Sequence, residues 1–182
     1  MDTLQERGEP YSAVTWAAVF AGAVVSLALG FLLLSCAAGF GLDIGSPWPS
    51  QNPSLAWFSP QSGAALVAAQ AICGAFGGYL AGRLRIKWLH VHGHEVHFRD
   101  TAHGLLSWAV STIAGGLIAG LIWTSHPIIP ALPVSADVTA QYWLFMTIGL
   151  LLGAFASSVA AAIGGMRRDH MHDHYWSERT AP

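Results

Sequence analysis

Four long apolar segments, separated by shorter polar or proline-rich connections, dominate the 182 residues of this chain. Each segment is long enough for the roughly 20 residues with which a helix crosses the hydrocarbon core of a membrane. The pattern therefore predicts an all-α fold, an integral membrane four-helix bundle. The predicted spans cover residues 14–41, 62–84, 102–123 and 142–166.

The spans divide the chain into a polar N-terminal segment (1–13), a transmembrane domain (14–166) and a His-rich tail (167–182). The first apolar run is longer than the core of a signal peptide, which predicts that the first helix is retained as a span. Either Asp100 or Thr101 is the predicted N-cap of the third span, because short polar side chains accept hydrogen bonds from the first turn of a helix.

Basic residues flank only one side of the predicted spans. Positive side chains near membrane helices stay on the cytoplasmic side, so this segregation predicts that both termini and the connection between the second and third spans are cytoplasmic. The two outer connections contain no lysine or arginine. The eight basic residues are Arg7, Arg83, Arg85, Lys87, Arg99, Arg167, Arg168 and Arg179.

Composition narrows the classes of partner and chemistry. Only 10% of the residues are charged, against about 25% in soluble domains. A net charge of −2 gives no reason to expect a nucleic-acid partner; the expected surroundings are the lipid bilayer and other membrane proteins. The two cysteines, Cys36 and Cys73, are predicted at membrane depths roughly 10 Å apart, too far for a disulfide.

Histidine offers the main candidate chemistry, because every histidine except His126 is predicted on the cytoplasmic side. Imidazole and carboxylate groups bind zinc, nickel or copper, and alternate residues of an extended segment point to one side. Histidine-rich tracts are also found in solvated loops whose charge changes near pH 6.5. We expect no stoichiometric metal in the resting protein. The candidate metal ligands are His90, His92, His94, His97, His170, His172 and His174.

Other functional classes have less support in the sequence. A haem would need histidines inside the bundle, whereas His103 is predicted only at the interface, so no cofactor is predicted. Ion pathways usually contain ionisable residues within the spans, and none is predicted there. The side chain of Gln70 is the most polar at mid-membrane depth. No nucleophile–base pair or carboxylate pair is predicted at a plausible depth, so an enzyme is not expected.

Glycines recur at four-residue spacing on three of the predicted spans. Small residues at this spacing let helix backbones approach closely in lipid, within one bundle or between a span and another subunit. The echo of Gly74-Ala75-Phe76 in Gly153-Ala154-Phe155 is consistent with two repeated helical hairpins in parallel orientation. The predicted helix-packing glycines are Gly74, Gly78, Gly82, Gly116, Gly120, Gly149 and Gly153.

Three motifs give the chain a family resemblance. The W-A-A-V-F-A-G-A that begins at Trp16, the G-G-Y-L-A-G-R-L that begins at Gly77 and the H-G-L-L-S-W-A-V that begins at His103 resemble small bacterial membrane proteins of a PhnA-like family. The resemblance covers the first three spans. It implies a four-span protein of the bacterial cytoplasmic (inner) membrane and implies no activity.

Taken together, these patterns predict a non-catalytic accessory or scaffolding subunit that packs against a larger membrane complex or against itself. One alternative is a metal- or pH-responsive membrane protein that uses the cytoplasmic histidines. Another is a small oligomeric channel.

Overall fold

Four α-helices make up almost all of the structure, a computed structural model that describes residues 14–40, 60–86, 93–125 and 136–180. They are α1 (Trp16–Gly39), α2 (Pro60–Leu84), α3 (Gly93–Ser125) and α4 (Ala136–Thr180). The helices pack into one bundle, which confirms the predicted all-α fold. Each is long and apolar enough to cross a membrane, as in a multi-pass membrane protein.

Helices α3 and α4 extend well beyond the predicted spans, and α2 begins two residues earlier than predicted. The third helix, α3, begins at Gly93, so Asp100 lies within the helix and the prediction that it or Thr101 is the N-cap is wrong. An ion pair from Arg99 to Glu95, with Nε and Oε1 2.8 Å apart, supports this first part of α3 because residues four apart are neighbours on a helix. The fourth helix continues to Thr180. Apolar composition marks a membrane span, whereas helical hydrogen bonding continues into the polar sequence beside it.

The most extensive contact in the bundle joins α2 to α4. A Cβ atom built on each of three glycines of α2 would overlap the carbonyl oxygen of a residue on α4. The partners advance by four residues on both helices, so the two helices run parallel and in register. The facing pairs are Gly74 with Gly153, Gly78 with Ser157 and Gly82 with Ala161.

The predicted packing glycines of α4 also face α2. A Cβ at Gly149 would lie 3.4 Å from Cγ of Gln70. A Cβ at Gly153 would lie 3.2 Å from the carbonyl oxygen of Gln70. The two glycines that the predicted hairpin repeat makes equivalent, Gly74 and Gly153, therefore meet at this contact.

Gly116 and Gly120 of α3 do not take part in this packing. Within the described part of the chain, nothing lies within 4 Å of a Cβ built on either residue, so of the two kinds of contact left open by the sequence, packing within the bundle and packing against another subunit, the first is not made here. α3 faces its neighbours with Gly104, Ser107 and Gly115 instead. Four-residue spacing places residues on one face of a helix, but it does not determine which face turns inward.

Small residues also join α1 and α3 to the central pair. The Ser157 hydroxyl donates a hydrogen bond to the carbonyl oxygen of Gly104, 2.7 Å away, and the Ser26 hydroxyl donates one to the carbonyl oxygen of Cys73, 2.9 Å away. The interior thus consists largely of glycine, alanine and serine. Large apolar side chains such as Phe76 point outward, where lipid would meet them.

Candidate functional site: a buried polar cluster

Four polar side chains gather at the end of the bundle where α2 ends and α3 begins. They are Arg85, Asp100, His103 and Arg168, hereafter the polar cluster. Arg85 directly follows the last residue of α2, Asp100 and His103 are one turn apart on α3, and Arg168 is on α4. Since the rest of the interior is built from small residues, this cluster is the main concentration of charge inside the described part of the bundle.

An ion pair between Arg85 and Asp100 forms the centre of the cluster. Nε of Arg85 donates a hydrogen bond to Oδ1 of Asp100 over 2.6 Å, and only 1% and 2% of the two side chains are exposed. A buried charge is costly unless it is paired. Each of these groups therefore depends on the other, and the pair fixes the end of α2 against α3.

Gly165 of α4 makes room for this ion pair. A Cβ at Gly165 would overlap Oδ2 of Asp100 and lie 2.5 Å from its Cγ. The carboxylate thus rests directly on the backbone of α4. A side chain as small as alanine at this position would push Asp100 away from Arg85.

Arg168 caps the C-terminal end of α2. Its Nη1 donates hydrogen bonds to the carbonyl oxygens of Gly82, 3.1 Å away, and Arg85, 2.8 Å away. The last carbonyl groups of a helix have no partner within the helix, and a cation near them is favourable. Nη1 of Arg168 also lies 3.8 Å from Oδ1 of Asp100, so Asp100 interacts with cations from both α2 and α4.

His103 connects α3 to the start of α1. Its Nε2 accepts a hydrogen bond from the backbone N–H of Thr15 over 2.9 Å, and its Nδ1 lies 2.6 Å from the carbonyl oxygen of Arg99. An N–H can only donate and a carbonyl can only accept, so the ring is neutral with its proton on Nδ1. The residue is 1% exposed. Thr15 directly precedes α1 and its carbonyl oxygen accepts from Ala18 and Val19 in the first turn, so His103 satisfies the backbone N–H of the residue that begins the helix.

Together, these contacts tie all four helices at one end. Arg85 contributes the contact at the end of α2, and Arg168 contributes the one from α4. Asp100 and His103 contribute the contacts from α3, and the backbone N–H of Thr15 contributes the one from α1. The hydrogen bonds of these groups are made within the cluster, to the main chain and, from Nε of Arg168, to Oδ1 of the neighbouring Asp169. This arrangement is suited to holding helices in a fixed relation, and a change in the protonation of His103 would act directly on the attachment of α1.

The predicted metal ligands are placed only in part. His97 is exposed on the first turns of α3. Among the residues that the structure describes, no group of three or more His, Cys, Asp or Glu side chains is placed to hold a metal ion. The remaining candidates, or their side chains, lie outside the described residues: His90, His92, His94, His170, His172 and His174.

Sequence reasoning missed the polar cluster, although α3 contains a signal for it. Asp100, His103, Gly104 and Ser107 follow one another at spacings of three, one and three residues, which places them on one face of a helix. A helix face that is polar and small in an otherwise apolar chain is typical of an interior face in a membrane bundle. The arginine partners could not be assigned in the same way, because their positions were already explained by topology.

The comparisons with known proteins add no relative from which a role could be transferred. No protein-family model, curated protein or solved structure matches the chain. The resemblance to a PhnA-like family therefore stays a prediction from the three motifs, and the function must be argued from the chain itself.

Proposed function

We propose that this protein is a non-catalytic accessory or scaffolding subunit of the bacterial cytoplasmic membrane, and that it packs against a larger membrane complex or a second copy of itself through α3. One observation supports the association in particular. Among the glycines of α2, α3 and α4 whose surroundings the structure describes, only Gly116 and Gly120 have nothing within 4 Å of an added Cβ. All the others face a neighbouring helix of the same chain.

The exposed glycines lie among large apolar residues. Ile113, Leu117 and Leu121 are exposed on the same half of α3, so this part of the helix presents an uneven apolar surface. In lipid, helix association depends on close van der Waals packing at small residues. A second helix at Gly116 and Gly120 would approach α3 as closely as α4 approaches α2.

The proposed orientation places the polar cluster on the cytoplasmic side, with both termini inside. Its support is the segregation of all eight lysine and arginine residues. A structural role for the cluster agrees with its contacts, because Arg85 and Asp100 bind each other and Arg168 binds the end of α2.

The association can be tested by native mass spectrometry after mild-detergent extraction. We expect the wild-type chain to emerge with a second copy or another membrane subunit, and the double variant Gly116→Leu/Gly120→Leu to emerge alone. Gly39→Leu is the matched control, because it makes the same change on α1 at a position where no described residue lies within 4 Å. A wild-type chain that is monomeric without a partner, or a double variant that keeps its partner, would contradict the proposal.

A second candidate function, response to cytoplasmic pH, is favoured by the hydrogen bonds of His103. Protonation of Nε2 would place a second donor opposite the N–H of Thr15 and break the contact that caps α1. Imidazole is the side chain that ordinarily changes charge near neutral pH. The start of α1 would then loosen in acid, and the pH experiment described in the Discussion tests this behaviour.

A further inference from the structure

A cavity beside the polar cluster opens between the start of α1 and the first turns of α3. Its volume is about 180 Å³, far above the ~10–15 Å³ that a single water requires. It is lined by Val14, Glu95, Phe98, Arg99, Ala102 and His103. The stretches of α1 and α3 that can cross a membrane begin at Trp16 and Glu95, so the cavity lies at the depth of the lipid headgroups.

The polar lining carries one charge of each sign. Arg99 and Glu95 form an ion pair one turn apart on α3, and their side chains are 22% and 48% exposed. The N-terminus of α1 begins two residues after Val14 and adds partial positive charge. The cavity therefore presents a guanidinium and a carboxylate side by side, an arrangement that a zwitterionic group complements.

The apolar lining continues into the membrane. Phe98 is 69% exposed. Leu105, seven residues further along α3, and Ile113, eight residues after that, are exposed on the same side of the helix. An acyl chain lying on these side chains would keep its headgroup at the cavity.

We propose that this cavity binds the headgroup of an aminophospholipid from the cytoplasmic leaflet. The phosphate lies against Arg99 and the start of α1, the ammonium group lies against Glu95, and an acyl chain follows Phe98 and Leu105. A phosphate oxygen and a guanidinium form charge-assisted hydrogen bonds, and so do an ammonium group and a carboxylate.

The carboxylate selects among phospholipids. Glu95 repels a headgroup that has only negative charge, such as that of phosphatidylglycerol. A choline headgroup has no N–H to donate to the carboxylate. Only an aminophospholipid, phosphatidylethanolamine above all, satisfies both Arg99 and Glu95. This inference goes beyond the proposed function and does not depend on association through Gly116 and Gly120.

Native mass spectrometry of the full chain in detergent, with equimolar phosphatidylethanolamine, phosphatidylcholine and phosphatidylglycerol, tests the proposal. We expect phosphatidylethanolamine to be retained preferentially, at about tenfold higher affinity than the other two, as one charge-assisted hydrogen bond would give. Glu95→Gln should remove the preference. Arg167→Gln, which removes an exposed cation from α4, is the matched control and should keep it.

A second variant separates lipid binding from folding. Ala102→Trp fills the cavity without changing any charge, and it should exclude the lipid while thermal unfolding shows a folded chain. Soluble phosphoethanolamine, added alone, distinguishes a free headgroup from a lipid: it should raise the melting temperature less than the lipid does. Equal retention of the three lipids, unchanged retention by Glu95→Gln and Ala102→Trp, or equal stabilisation by soluble phosphoethanolamine would each overturn the proposal.

Discussion

Replacement of Gly78 by alanine tests the close contact between α2 and α4 with the smallest possible change. The added Cβ would overlap the carbonyl oxygen of Ser157 and lie 2.6 Å from its carbonyl carbon. These are main-chain atoms in the middle of α4, so they cannot turn aside as a flexible side chain can. The two helices must therefore separate, and Gly74 and Gly82 would lose their close approach as well.

Two effects of opposite sign determine how much Gly78→Ala changes the free energy of unfolding. Alanine favours a helix over glycine by about 1 kcal/mol, whereas overpacking a well-packed interior typically costs about 1–3 kcal/mol. The obstacle here is backbone, so the upper part of that range applies. We expect Gly78→Ala to lower the free energy of unfolding by about 1–2 kcal/mol. Gly116→Ala meets no neighbour and should be neutral or gain up to about 1 kcal/mol.

Reversible unfolding with sodium dodecyl sulfate in mixed micelles, followed by circular dichroism, measures both variants on one scale. Comparing Gly78→Ala with Gly116→Ala largely cancels the difference in helix propensity between glycine and alanine, because the same substitution is made on both helices. Gly78→Leu should go further and change the migration of the protein in detergent. Equal stabilities of Gly78→Ala and Gly116→Ala, or a Gly78→Leu variant that unfolds and migrates like wild type, would refute this reasoning.

Three further predictions concern the charged and histidine groups. Asp100→Asn should lower the free energy of unfolding by about 3–5 kcal/mol, because it leaves Arg85 buried without a counterion. The same detergent titration measures this loss of stability, and a loss below about 1 kcal/mol would contradict the role of the ion pair. Wild-type stability should fall as the pH drops below the ~6.5 of an unperturbed imidazole, because the buried His103 must be neutral to accept the hydrogen bond from Thr15. His103→Gln, whose amide oxygen can accept that bond, should weaken the pH dependence, and an unchanged profile would assign the dependence to other groups. Elemental analysis of the tag-free protein should find well below one metal ion per chain, whereas about one zinc, nickel or copper would support the metal-responsive alternative.

The fold could be predicted from sequence because membrane spans have a simple physical requirement. An apolar run long enough to cross the bilayer must satisfy its backbone hydrogen bonds internally, so a helix follows from length and composition alone. The boundaries were less predictable. The start of α3 at Gly93 depends on local features of a polar segment, including the ion pair of Glu95 and Arg99, which hydropathy does not detect.

The inward faces of the helices could be predicted only in part, because lipid removes the usual contrast. In water the apolar face of a helix marks its buried side, but in lipid both sides are apolar. Small residues are then the remaining indication of an interior face. They identified Gly78 correctly as a residue at a close helix contact, and they gave the same signal for Gly116, which lies on an outward face of α3.

The polar cluster escaped sequence analysis for a different reason. From the sequence alone, Arg85 is explained as a topology signal and Asp100 as a helix cap, and each explanation is locally sufficient. Their pairing joins residues on either side of a connection between two helices, and it depends on the space that Gly165 leaves on α4. Contacts of this kind follow from the packing of three helices and not from the spacing of residues along one.

Cysteine accessibility in intact cells tests most directly the claim that the chain crosses the membrane four times with its polar cluster and both termini inside. Single cysteines would be placed at Ser50 and at Ser177 after replacement of Cys36 and Cys73 by alanine. A membrane-impermeant maleimide should label the Ser50→Cys variant in intact cells and the Ser177→Cys variant only after the membrane is permeabilised. Labelling of Ser177→Cys from outside, or equal labelling of both variants in intact cells, would contradict the account.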